Sequence, residues 1–252
     1  MTSNLTFSNR WEYFPCRMDD NPFTIRFDTA IAHLDEETKA KYPHTLVLQF
    51  YPAEVNENGF PTPAERDRIN NIEDNLTGGA YDIRFMGVIT GGGCIRFAFC
   101  YNGDAEAESM AQTLLGDNFA TIKFEYGVFS NDNLAYFYNA LAPNIYEQNW
   151  IMNRHVCTQL EEGGETFQTP REIDFFCYFA SEQHLQDVAE KLKLQGFVEA
   201  NRGKTEQGDY SLHLTLEEIP AFTRMNEVVA DILDTLEGTD GYFDGWGSPI
   251  CN

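Results

Sequence analysis

The chain has 252 residues, 42% of them hydrophobic, and its 40 acidic and 17 basic side chains give a formal charge of −23. That length suits one large domain or two ordinary ones, and the apolar content supports packed cores rather than a disordered chain. No run approaches the ~18 apolar residues of a membrane span, and the excess of carboxylates disfavours nucleic acid, whose phosphates are held by clustered Lys and Arg.

Met1–Phe7 has neither the basic nor the apolar region of a signal peptide, so a cytoplasmic location is expected. Trp11–Phe14 and Phe23–Phe27 read as strands joined by the turn-rich Met18–Pro22, and Thr45–Tyr51 as a denser apolar strand. Thr62-Pro63-Ala64-Glu65 opens a helix, with Thr62 as cap, Pro63 at the first helical position and Glu65 closing a capping box. Ile69, Ile72 and Leu76 give that helix one apolar face, and Gly78-Gly79 end it. Residues 81–90 and 94–101 form a hairpin about Gly91–Gly93. The glycines precede a strand, whereas a phosphate cradle opens a helix, so a tight turn is expected. Residues 104–115 read as helix, 119–126 as strand and 133–141 as a short helix.

Pro143-Asn144 is the natural boundary. Beyond it, Tyr146, Trp150, Val156, Cys157 and Leu160 mark a helical stripe ended by Gly163-Gly164. Thr169-x-x-Glu172 spells a capping box, but the β-branched and aromatic run Ile173–Phe179 reads as a strand. Ser181 caps a helix with Leu185, Val188, Ala189 and Leu192 on one face and Gly196 past its end. Phe197–Ala200 and Tyr210–Thr215 read as strands. Pro220 opens a last helix with a core face of Phe222, Met225, Val228, Val229, Ile232, Leu233 and Leu236, and a final strand follows near Tyr242–Asp244.

Residues 45–126 and 173–246 thus each read β-α-β-β-α-β. The fold class expected is α+β, with two ferredoxin-like (βαββαβ) α/β sandwich units and mainly antiparallel sheets, divided as residues 1–144 and 145–252. The six cysteines show no C-x-x-C spacing and read as reduced thiols, several of them small core residues. No metal or nucleophile motif is present, and the adjacent pairs Asp19-Asp20 and Glu73-Asp74 have no companion His or Lys at a recognisable spacing. No cofactor, no metal and no catalysis are expected.

Two stretches carry a resemblance. The closing Tyr242-Phe243-Asp244-Gly245-Trp246-Gly247-Ser248 resembles the terminal signature of the regulator of ribonuclease E activity B (RraB) family. So do Val156-x-x-x-Leu160, Gly163-Gly164-Glu165, Pro170–Asp174 and the Leu192–Gly196 helix end. Phe243 and Ser248 stand where that family often has Tyr and Thr. Residues 11–140 resemble the domain of unknown function 695 (DUF695), through Trp11-x-x-Phe14-Pro15, Ile72-Glu73-Asp74 and Phe85–Thr90. The first resemblance implies a ferredoxin-like C-terminal domain and a protein that binds and inhibits an endoribonuclease through protein contacts. The second implies no activity.

Candidate partner-binding residues follow from position. Gly245 and Gly247 permit φ > 0 around Trp246. Its indole either plugs its own sheet edge, with the N–H bonded to a nearby group, or stands out as an interface anchor. Asp244 either caps the turn or pairs with a partner's Arg. Glu227, Asp231 and Asp234 form a stripe opposite the core face of the last helix, serving as a solvated face or as a docking surface for a basic partner. Acidity is steepest here: residues 205–252 carry ten acids against one base, Arg224. The expected function is a cytoplasmic regulator that binds a basic protein partner, such as an RNA-processing endoribonuclease, with no direct binding of nucleic acid or membrane. The alternative is a small-molecule-binding or hydrolytic protein with a site in the interdomain cleft.

Overall fold

The computed structural model of the chain describes residues 10–76, 83–102, 106–116 and 123–251. These residues form two compact units, one reaching Glu147 and the other beginning at Gln148.

The N-terminal unit opens on the hairpin β1 (Trp11–Met18) and β2 (Asn21–Asp28). Its two-residue turn places Asp19 at φ 49° and Asp20 at φ 64°, the left-handed pair that matches the twist of a hairpin and that Asp tolerates. A short helix α1 (Glu36–Ala40), β3 (His44–Phe50) and α2 (Pro63–Leu76) follow. Next come the hairpin β4 (Ile83–Gly91) and β5 (Cys94–Tyr101), α3 (Ala107–Leu115) and β6 (Phe124–Ser130). The sheet order is β1-β2-β4-β5-β3-β6, antiparallel throughout. Its last four members are the ferredoxin-like order, widened at the β4 edge by the first hairpin. The tight turn at the glycines is present: Gly92 and Gly93 have φ 57° and 77°, and a Cβ at Gly92 would meet the Phe23 ring at 2.7 Å.

Three local expectations change. Glu65 does not close a capping box. It accepts from the Ala53 N–H at 2.8 Å and from Arg68, while the Thr62 hydroxyl is buried without a partner among the described residues. The last strand reaches Ser130, and its expected start at 119–122 lies outside the described residues, as do Gly78-Gly79. The expected helix at 133–141 is a short 3₁₀ turn (Asp132–Leu134) followed by a π-helical turn (Phe137–Leu141).

This irregular segment has a packing role. Leu46, Leu48, Phe97 and Phe99 point to α2 and α3, where they meet Ile69, Met110 and Leu114. On the other face Phe14, Ile25, Phe27 and Cys100 are buried as well, and Phe27 sets its ring edge-on to Phe137 at 6.2 Å. Seven of the eight β5 residues are buried, as expected of a strand covered on both faces.

The C-terminal unit begins in α4 (Ile145–Glu162), started by a capping box that the sequence reading missed. Asn144 accepts from the N–H of Glu147 at 3.0 Å, and Glu147 accepts from the N–H of Asn144 at 2.8 Å. Its elements are β7 (Arg171–Phe179), α5 (Glu182–Leu194), β8 (Val198–Lys204), β9 (Tyr210–Glu218), α6 (Phe222–Leu236) and β10 (Tyr242–Gly247). The sheet is antiparallel in the order β10-β7-β9-β8, the ferredoxin-like order again. Ile173, Phe175, Cys177 and Phe179 pack with Leu185, Val188 and Leu192 of α5 and with Met225, Val228 and Ile232 of α6. Cys157 and Leu160 of α4 join this core, but the buried stripe of α4 also carries Asn149 and Asn153, while Tyr146 is exposed. No helix among the described residues is long and apolar enough to cross a membrane.

Candidate functional site

The residues of the closing signature do not form one surface. β10 carries a bulge at which Phe243 pairs with Cys177, Gly245 with Phe176 and Trp246 with Phe175. Regular alternation would send Phe243 and Trp246 to opposite faces; the extra residue returns both to the core side. Gly245 makes the bulge with φ 146°, a left-region value that favours glycine. Trp246 is therefore only 8% exposed, and its indole N–H donates to Asn153 Oδ1 at 2.7 Å. Asn153 Nδ2 in turn donates to Asn226 Oδ1 at 2.9 Å, linking β10, α4 and α6. Of the two roles open to Trp246, the exposed anchor is excluded: the ring is a core residue with a satisfied N–H.

The other signature positions converge on a second lock. Arg171 opens β7 and is buried. It donates to Glu165, to the Thr169 carbonyl at 3.0 Å and to Ser248 Oγ at 2.8 Å. Glu165 also accepts the N–H groups of Phe167 at 2.6 Å and Cys251 at 2.9 Å. Burial pushes the Glu165 carboxyl up, but the N–H groups of Cys251 and Phe167, with Arg171, outweigh it and hold the group below the ordinary carboxylate value. Glu165, Arg171, Ser248 and Cys251, separated along the chain, thus meet where the C-terminal segment is pinned to the start of β7.

The remaining charged candidates are exposed. Glu227, Asp231 and Asp234 stand on the solvent side of α6, and Glu227 accepts from Arg224 at 3.0 Å, so part of its charge is already matched. Asp244 is exposed on β10 beside the half-buried Gly245 and Gly247. The α6 stripe lies on the helical layer, whereas the bulge sets Asp244 on the sheet side, opposite Phe176.

Two buried thiols of this unit, Cys157 and Cys177, are held neutral. Burial, with a smaller effect of Asp244, pushes Cys177 up to about 12, and burial with Glu161 pushes Cys157 up to about 11. All six cysteines are unpaired as disulfides. Both stand as small core residues rather than nucleophiles.

Sequence reasoning missed a groove of 230 Å³ within the N-terminal unit. The groove lies between the extra β1–β2 hairpin and α2 and is lined by Arg26, Arg66, Glu73, Val88 and Phe97 among others. Arg26 pairs with Glu73 and lies under the Trp11 ring, 5.3 Å from its centroid. Glu73 is thereby an ion-pair partner of an arginine, and Asp74's side chain lies outside the described set. Asp19 and Asp20 are turn residues.

Residues 9–141 match the family model described as a family of unknown function (DUF695), and residues 150–248 match that of the regulator of ribonuclease activity B. No curated protein matches the chain. Among solved structures, one described provisionally as a glycine cleavage system transcriptional repressor is 8% identical, covers 82% of this chain and 98% of its own, and has a TM-score of 0.24. An unknown protein from Galdieria sulphuraria is 11% identical, with 80% and 96% covered and a TM-score of 0.19. Neither likeness carries an argument about fold or function. The chain belongs to the DUF695 family, and its C-terminal part carries an RraB family domain.

Proposed function

We propose that this chain is a non-catalytic regulatory protein whose RraB-type domain binds a basic segment of an RNA-processing endoribonuclease and lowers its activity. The observation that carries this reading is the family match over 150–248, whose diagnostic residues here hold the domain together as two buried networks. With Trp246 and Glu165 used internally, recognition falls to exposed groups, and the exposed candidates are carboxylates: Asp231, Asp234, Asp244 and the partly matched Glu227. In a chain of charge −23, such groups attract a basic partner and repel RNA.

The test is co-purification of the full chain with the RNA-processing endoribonuclease of its own cell, followed by titration of RNA cleavage. Binding should weaken as salt rises and cleavage should fall saturably. A chain that leaves the nuclease unbound and its rate unchanged overturns the reading.

A further inference from the structure

An antiparallel sheet covered on one face ordinarily carries polar side chains on the other. The C-terminal sheet departs from that rule. The face of β7 turned away from α5 and α6 presents Glu172, Asp174, Phe176 and Tyr178. The register sets Phe176 opposite His213 of β9 and Tyr178 opposite Tyr242 of β10. Phe176 and His213 stack at 4.8 Å and 18°, and Tyr178 and Tyr242 at 5.5 Å and 25°. Both pairs keep solvent access; Tyr242 is 47% exposed.

Carboxylates surround these rings. Asp174 lies 2.6 Å from His213 Nε2, Asp244 is exposed across the bulge, and Glu172 pairs with Glu217 at the end of the face. Burial, then Asp244 and Asp209, push the Tyr242 phenol above its ordinary value, in keeping with acids close to that ring. Arg202 and Lys204 of β8 share register with the helix-side residues Leu212 and Tyr210, not with this face.

The chemistry of the face selects its ligand. Nucleic-acid bases stack on such rings, but they arrive with phosphates that these carboxylates repel. A guanidinium is flat, stacks on aromatic faces and donates five N–H groups to carboxylates. We infer that the open face of the C-terminal sheet is a docking surface for an extended, arginine-bearing segment of a protein partner, its guanidinium groups lying on the Tyr178–Tyr242 and Phe176–His213 pairs and donating to Asp174 and Asp244. This rests on the regulatory reading above and moves the main contact from the α6 stripe to the sheet.

The experiment titrates the full chain with a fluorescein-labelled octapeptide of alternating Arg and Gly, with the Lys-Gly peptide and an oligouridylate in parallel. The arginine peptide should bind more tightly than the lysine peptide, and the oligouridylate should not bind. Tyr178→Ala with Tyr242→Ala should weaken binding by about tenfold, the size of lost guanidinium stacking, while Tyr242→Phe retains it. Asp174→Asn with Asp244→Asn should weaken it more than the charge-matched Asp231→Asn with Asp234→Asn. Unchanged thermal midpoints verify that the variants fold. Equal effects of the two Asp pairs, indifference to the Tyr changes, or preferential binding of the oligouridylate would each overturn the proposal. Failure here while the unsubstituted chain still inhibits the nuclease removes the surface alone; an unsubstituted chain that does not inhibit removes the regulatory reading itself.

Discussion

In β5 of the N-terminal sheet the residues from Cys94 to Tyr101 are buried almost without a break: helices cover one face of the sheet, and on the other the segment around Phe137 and Leu141 packs at Phe27 of β2 and Gly87 of β4. In β7 of the C-terminal sheet burial alternates residue by residue, because α5 and α6 cover one face and the other keeps solvent access. Both sheets contain the same ferredoxin-like strand order. Strand order therefore does not decide which surfaces are available to a partner; that is decided by what the connecting segments cover. The aromatic side chains at the uncovered positions of β7 have packing partners on their own sheet and room for more.

The contrast can be broken by mutation. The largest loss is expected from Glu165→Ala, which strands Arg171 in a buried site and frees the N–H groups of Phe167 and Cys251. About 3–5 kcal/mol of stability should go, read by urea unfolding, and a loss below 1 kcal/mol would show that the lock is not structural. Phe97→Ala, at a fully buried position in the doubly covered sheet, should cost about 3–5 kcal/mol, whereas Phe176→Ala on the open face should cost about 1 kcal/mol or less. Equal costs would mean that the C-terminal sheet is covered after all. Trp246→Phe keeps most of the packing but leaves Asn153 Oδ1 without its donor, an expected loss of about 1–3 kcal/mol by the same assay.

Acidity and alkalinity sharpen the same picture. The lowered Glu165 carboxyl contributes stability that is present above its ordinary value of 4.5 and is lost as pH falls through its depressed folded value. The Cys157 and Cys177 thiols, raised to about 11 and about 12, contribute stability that is complete below their ordinary value of 9.0 and is lost as pH climbs through the folded values. Urea midpoints measured across pH should decline at both ends, and Glu165→Gln should flatten the acid limb. The smallest effect belongs to Asp231→Asn with Asp234→Asn, two exposed carboxylates whose removal should move stability by no more than about 0.5 kcal/mol.

The sequence reveals much of this through local rules. Ser181 caps α5, accepting the His184 N–H at 3.4 Å, and the α6 core face is the one its spacing predicts. The Gly92-Gly93 turn is likewise local chemistry. What escapes is non-local. The bulge at Asp244–Gly245 exists only in register with β7, so Trp246 reads equally well as plug or anchor until that register is known. Asn153 looks like a polar residue on a helix until the indole of Trp246 meets it from 93 positions away. Glu165 and Arg171 are visible as spelling, but their burial depends on Ser248 and Cys251 returning from the far end of the domain. Glu65 fits a capping box by spacing and bonds to Ala53 instead, because the Thr62 N–H is taken by the Glu54 carbonyl. The second cover of the N-terminal sheet is irregular backbone, which leaves no periodic signal.

The central claim is regulation of an endoribonuclease by protein contact. The most direct measurement is the initial rate of cleavage of a fluorogenic RNA by the endoribonuclease of the same cell, at fixed enzyme and increasing full-length chain. A saturable fall in rate that weakens as salt is raised is the expected result, because salt screens a charge-assisted contact. A rate that stays constant with the chain in large excess would contradict it.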